Sequence, residues 1–199
     1  MSITRIPLPG ADVRYFADAF LRDADSLRDA LLHEIPWERH RIRLFGREVD
    51  SPRLSCWIGD EGTEYTYSRT RFAPRTWTPA LMTIREALAS RFDLRFNSVL
   101  ANLYRDGRDS MGWHSDAEPE LGDTPVIASL SFGAARRFRF RSRETRAIAA
   151  SVELAHGSLL VMAGATQRLY QHDLPRNTRI ADARVNLTFR EILSPAMRR

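Results

Sequence analysis

Apolar positions change their period along the chain, and the change divides it into regions. Leu27, Ala30, Leu31 and Ile35 recur at spacings that stack on one helix face. Pro36, which lacks the N–H a helix needs, ends that segment. A second helix is predicted from Thr78 as a cap, Pro79 in the first turn, and Leu81, Ile84 and Leu88 at 3.6-residue spacing. Between them, residues 37 to 75 carry Trp, Phe, Tyr and Arg broken by turn signals such as Gly59-Asp60-Glu61-Gly62, which predicts short strands and exposed loops.

From Phe96 onward the texture is that of strands, with extended segments predicted over 99–104, 126–132, 158–162 and 184–190. Helices first and strands afterwards imply an α+β chain. Many short strands suggest a jelly roll of two sheets that can hold a site between them. The 199 residues suit one domain, with helices and a lid over about 1–95 and the jelly-roll core over about 96–193.

Composition narrows the chemistry. Cys56 is the single cysteine, so any metal site must draw on His and carboxylate. No apolar run approaches a membrane span, and Met1 to Pro7 lacks the pattern of a secretory signal, so a cytoplasmic location without membrane attachment is expected. The net charge of +5 favours polyanionic partners. All 30 basic residues are Arg, which biased codon usage explains better than phosphate binding, because lysine is missing from the whole chain.

Candidate chemistry begins at His114-Ser115-Asp116. Side chains two apart on an extended strand share a face, so an imidazole and a carboxylate can meet one cation. A divalent iron with open coordination positions takes two His and one carboxylate. A chance His beside an Asp would look the same. His172 is the best-placed further ligand, because His33 and His40 fall in or just beyond the first helical pattern and His156 sits at a turn. The last strand alternates Arg184, Asn186, Thr188 and Arg190 with Val185, Leu187 and Phe189. An ordinary half-wetted strand has that alternation too, but two guanidinium forks on one face suit a dicarboxylate. Asn102 and Tyr104 can join the same pocket or serve as core polar residues.

Asn102-Leu103-Tyr104, His114-Ser115-Asp116, the lone His172 and Arg184-x-Asn186-x-Thr188-x-Arg190 occur in the order that characterises the AlkB family of dioxygenases. The chain resembles most the branch that repairs double-stranded DNA, with similarity from about Arg41 to Leu193. The resemblance implies a double-stranded β-helix with a nucleotide-recognition lid. It implies Fe(II) held by His114, Asp116 and His172, with O2 and 2-oxoglutarate as co-substrates. Arg184 would pair with the distal carboxylate of 2-oxoglutarate and Arg190 with its iron-proximal end, while Asn102, Tyr104, Asn186 and Thr188 complete the pocket. The implied reaction is oxidative demethylation of bases such as 1-methyladenine and 3-methylcytosine, releasing formaldehyde, succinate and carbon dioxide.

The same resemblance gives Tyr65 and Tyr67 as flanks of a flipped base, Glu118 as an acidic contact to it, and Phe45 as a finger residue of the duplex-acting branch. On residues alone, the two tyrosines read as a cross-strand pair and Phe45 as a hairpin core residue, while Glu118 is equally a solvated side chain. Phe138 and Phe140 are expected to face the core, leaving Arg137, Arg139, Arg141 and Arg143 exposed. Two departures from the duplex-acting branch stand out: the basic segment after His172 is diluted to Arg176-Asn177-Thr178-Arg179, and Ala117 follows the metal Asp. The expected partner of this monomer is therefore alkylated DNA, double- or single-stranded, with RNA as an alternative. A nucleic-acid-binding jelly roll without catalysis is the reading from another class.

Overall fold

A computed structural model describes residues 3–44, 47–67 and 70–193. In chain order the regular elements begin with β1 (Thr4–Arg5), β2 (Ala11–Phe16), α1 (Ala24–Glu34), β3 (Arg41–Leu44), β4 (Arg47–Asp50), β5 (Leu54–Gly59), β6 (Tyr65–Tyr67) and β7 (Thr70–Phe72). They continue with α2 (Pro79–Phe92), β8 (Ser98–Tyr104), β9 (Met111–His114), β10 (Ile127–Gly133), β11 (Arg136–Ser142) and β12 (Ile148–Leu154). Last come β13 (Ser158–Gly164), the single turn α3 (Thr166–Leu169), β14 (Tyr170–Leu174) and β15 (Arg184–Arg190).

Seven strands form one antiparallel sheet in the order β1-β2-β13-β10-β15-β8-β5, and four form a second in the order β12-β11-β14-β9. The expected α+β jelly roll is met. The expected succession of helices and then strands is not, because β1 and β2 precede α1, and β5 precedes α2. These early strands cover the edges of the large sheet: β2 pairs with β13 from Ala11 opposite Gly164 to Phe16 opposite Leu159, and β5 pairs with β8. Sequence reasoning missed β2 because Ala11 to Phe16 ends in two buried neighbours, Tyr15 and Phe16, which blurs its alternation.

Both predicted helices form on the outer face of the large sheet. The Thr78 side chain accepts a hydrogen bond from the Leu81 N–H, satisfying one of the free donors of the α2 start, and Pro79 stands at the first position where its missing N–H costs nothing. Leu81, Ile84 and Leu88 of α2 and Leu31 of α1 are fully buried against Val99, Ala101, Leu130, Val185, Leu187 and Phe189 of the sheet. Between the two sheets lies a second apolar cluster that includes Tyr104, Ile127, Phe138, Phe140, Leu160, Met162 and Leu174. The large sheet is thus buried on both faces, and the face opposite the helices is the one that carries polar groups.

Two smaller ribbons complete the chain: β3 with β4, and β6 with β7. They fall in the 37–75 segment read as strands and loops. Phe45 lies outside the described residues. Tyr65 stands opposite Phe72 and Tyr67 opposite Thr70 in backbone register, while the side chains of both tyrosines lie outside the described part. Among the described residues no helix is long and apolar enough to cross a membrane.

Candidate metal and dicarboxylate site

Register decides what faces the space between the sheets. Across β8, β15 and β10, Tyr104 stands opposite Arg184 and Asn102 opposite Asn186, while Ser131 lies opposite Asn186 and Ser129 opposite Thr188. Alternation sends Arg184, Asn186, Thr188 and Arg190 to one face, and Val185, Leu187 and Phe189 to the helices. On the small sheet His114 of β9 lies directly opposite His172 of β14, and Phe140 lies opposite His172. One cavity between the sheets is lined by Arg53, Asn102, Tyr104, His114, Asp116 and His172 together with Arg184, Asn186, Thr188 and Arg190.

His114, Asp116 and His172 present ligand atoms that all lie within 4.8 Å of one another, the one such group of three among the described residues. The two Nε2 atoms are 3.1 Å apart. Two ligands at about 2.1 Å from a cation and at right angles would be about 3 Å apart, so the pair is spaced for one ion. The Gly112 carbonyl, 2.8 Å from Nδ1 of His114, can only accept, so Nδ1 carries the proton and Nε2 keeps its lone pair. Burial holds both imidazoles neutral: it lowers the His114 pKa, and with the His114 ring beside it, it brings that of His172 down to about 3. Neutral imidazole is the form that ligates metal. Burial by itself would raise the Asp116 carboxyl, but the Arg190 guanidinium overrides it and holds the group well below the usual carboxylate range.

Asp116 departs from the expectation in one respect. β9 ends at His114, so the two residues do not share a strand, and Asp116 sits in the loop beyond it. Its carboxylate Oδ1 accepts from Arg190 Nη2 at 2.8 Å and lies 4.0 Å from His114 Nε2. Arg190, expected at a co-substrate carboxylate, here holds the Asp116 carboxylate.

The other end of the cavity is built around Arg184, 2% exposed. Its Nη2 donates to Ser131 Oγ at 2.8 Å, whereas its Nε has no hydrogen-bond partner among the described residues. Burial lowers its pKa to about 10, which still leaves it cationic at neutral pH. Arg184 and Arg136 both lie over the Tyr104 ring, at 5.2 and 5.7 Å. A buried guanidinium with an orphaned N–H calls for an anion, since polar groups of this kind are costly when unpaired. Asn186 Nδ2 donates to Ser129 Oγ and the Leu130 carbonyl, both at 2.9 Å, and Thr188 Oγ1 donates to Asn186 Oδ1 at 3.3 Å, so these two fix the floor.

Arg53 is a lining residue that sequence reasoning missed. It precedes β5, is 5% exposed, and its Nε donates to Asn102 Oδ1 at 2.6 Å. No motif announces it; only the pairing of β5 with β8 brings it to Asn102. Glu118 is half-buried two residues after Asp116 and is not among the residues lining the cavity. Arg137 and Arg143 are exposed as expected, but Arg139 and Arg141 are half-buried and engaged. Arg139 forms a two-point pair with Asp173, Arg141 donates to Gln171 Oε1, and both lie over the Trp113 ring. His156 is structural, its Nδ1 accepting from the Gly133 N–H at 2.8 Å. His40, read as solvated, is half-buried beside the Ser55 carbonyl.

The chain matches the 2OG-Fe(II) oxygenase superfamily over residues 14–190. It is 38% identical over 194 residues to the human protein named DNA oxidative demethylase ALKBH2, covering 92% of this chain and 74% of that protein. The chain belongs to the AlkB family of 2-oxoglutarate- and Fe(II)-dependent oxygenases. The rat protein named alpha-ketoglutarate-dependent dioxygenase alkB homolog 3 is 41% identical over 181 residues, 86% of this chain and 61% of its own length. The chain thus spans about three fifths of the length of the alkB homolog 3 relatives that it matches. A solved structure described as that of OsALKBH1 superposes with a TM-score of 0.64 at 19% identity, covering 96% of this chain and all of that one, which supports the AlkB fold. The family's Fe(II), 2-oxoglutarate and O2 fit the donor set: two neutral imidazoles and a carboxylate for the metal, and a buried guanidinium with a spare N–H for a carboxylate.

Proposed function

We propose that this AlkB-family chain is an oxidative demethylase of N-alkylated bases in DNA, working as one domain and as a monomer in the cytoplasm. The observation that carries the reading is a single cavity with a His-Asp-His cluster at one end and Arg184 at the other. His114, Asp116 and His172 hold Fe(II), which supplies, with O2 and 2-oxoglutarate, the oxidising power to hydroxylate an N-methyl group that then leaves as formaldehyde. The protein's own part is orientation and exclusion of water. Arg184 anchors the distal carboxylate of 2-oxoglutarate, and Asn102, Tyr104, Asn186 and Thr188 shape the pocket around it. Arg190 fixes the Asp116 carboxylate and lies near enough to the metal end to contact the co-substrate there.

A duplex base must be extruded to reach such a cavity, at about a few kcal/mol, less for a lesion that pairs poorly. In our reading Tyr65, Tyr67 and Glu118 receive the base, and Phe45 acts as the wedge. Human ALKBH2, named a DNA oxidative demethylase, supports DNA as the substrate. The test is formaldehyde release from the same 1-methyladenine or 3-methylcytosine lesion in single-stranded DNA, duplex DNA and RNA. Turnover on DNA above RNA is expected, with Phe45→Ala slowing duplex turnover only. RNA as the better substrate would overturn the assignment to DNA, and equal loss on single strands would overturn the wedge.

A further inference from the structure

Asp116 is the ligand whose backbone no strand holds. The β9–β14 ladder sets His114 opposite His172, but β9 stops at His114. What fixes the next turn of chain is Gln167, in the single turn α3. Gln167 is 2% exposed, and its Oε1 accepts from the Asp116 N–H at 3.0 Å, 51 residues away in sequence. Its Nε2 points at Met162 Sδ, 3.6 Å away, so the amide is oriented with its oxygen toward Asp116. From the outer side Arg143 Nη1 reaches both Ser115 Oγ at 3.3 Å and the Gln167 carbonyl at 3.2 Å, tying the same two segments together.

We infer that Gln167 is a positioning residue for the metal carboxylate: its amide oxygen holds the Asp116 backbone so that the carboxylate, gripped by Arg190, faces the two imidazoles. The inference rests on the reading of His114, Asp116 and His172 as metal ligands. The physical ground is the cost of burying a donor unmade. Without the Gln167 oxygen the Asp116 N–H loses its acceptor in a dry place, and the loop relieves this by turning toward water. That motion carries the carboxylate with it. Groups behind a metal's ligands act through orientation in this way, and losing one weakens metal binding by about 10- to 100-fold. Arg190 holds the carboxylate through Oδ1, whereas Gln167 holds the backbone that carries it.

The test is Mn(II) binding to the full chain, followed by the electron paramagnetic resonance signal of free Mn(II), beside thermal melts of the metal-free proteins. Gln167→Met keeps the length and removes the acceptor, and it is expected to weaken Mn(II) binding about tenfold or more. Gln167→Glu, which keeps an acceptor at the same reach, should bind within about threefold of wild type. Thr166→Val removes a neighbouring buried bond, from Thr166 Oγ1 to the Ala163 carbonyl, without touching Asp116. It should lower the melting temperature yet leave Mn(II) affinity within about twofold. If Gln167→Met does not fold, Gln167→Asn, whose amide stops short of the Asp116 N–H, carries the same expectation. Wild-type affinity in the acceptor-free variants, or an equal loss in Thr166→Val, would overturn the positioning role while leaving the metal site standing. Absence of Mn(II) binding in wild type would overturn the metal site and the inference with it.

Discussion

Replacing Arg184 with Met should leave the stability of the metal-free protein within about 1 kcal/mol of wild type while removing its grip on 2-oxoglutarate. Burial lowers the Arg184 pKa from 12.5 to about 10, which corresponds to about 3 kcal/mol against the charged form. Met fills similar space without charge and relieves that penalty. Against the gain stand the bond to Ser131 Oγ and the contact with the Tyr104 ring, each worth about 1–2 kcal/mol. The sum lies within about 1 kcal/mol of no change, where truncating a buried side chain ordinarily costs about 2–5 kcal/mol. Binding should move the other way. Losing a charged two-point contact to a carboxylate costs about 3 kcal/mol, or about 100-fold in Kd. Denaturant unfolding of the metal-free proteins measures the first quantity, and calorimetric titration of 2-oxoglutarate into Mn(II)-loaded protein the second. A variant destabilised by more than about 2 kcal/mol that still binds 2-oxoglutarate within about threefold of wild type would refute the reasoning, showing Arg184 to be structural.

Three further outcomes are expected. Asp116→Ala should abolish turnover and also lower metal-free stability by about 3 kcal/mol, because it takes the carboxylate from the buried Arg190 pair; unchanged unfolding would contradict the pairing. A Cβ at Gly107 would run into the Asn177 carbonyl where the two loops exchange backbone bonds, so Gly107→Ala should lower the unfolding free energy by about 1–3 kcal/mol in a denaturant titration. Cys56 has a pKa pushed up to about 11, by burial first and then by the Glu38 carboxylate, with Arg75 opposing. About one thiol in a thousand is then ionised at pH 8, against about one in ten at the ordinary value of 9.0, so native protein should react with iodoacetamide about 100-fold more slowly than unfolded protein. Because the folded state keeps this proton longer, the group's contribution to stability is complete below about pH 9 and is lost as pH rises toward about 11.

Legibility in the sequence followed the range of the interactions involved. Helix α2 could be read from Thr78, Pro79 and its apolar spacing because capping and periodicity are local. Strand β15 could be read for the same reason, and its alternation also told which residues share a face. The His114–His172 pairing could not, since it depends on β14 lying beside β9, a register set by contacts across the small sheet. Arg53 and Gln167 carry no motif, because each acts through one bond to a residue about 50 positions away: Asn102 for Arg53 and Asp116 for Gln167. Arg136 shows the same limit. Nothing in the sequence singled it out, yet it is 1% exposed and donates to the carbonyls of Asp106, Asp109 and Pro175. A buried cation that ties loops together differs from a surface one in its surroundings, and the linear pattern does not carry them.

The central claim is that one cavity binds iron and 2-oxoglutarate together, and anaerobic titration tests it most directly. Fe(II) is added to the purified chain with and without 2-oxoglutarate, and the visible charge-transfer band of the chelate is recorded. The band should appear only when both are present, saturate at one iron per chain, and vanish in His172→Ala. No band in wild type, or a band that survives His172→Ala unchanged, would contradict the account.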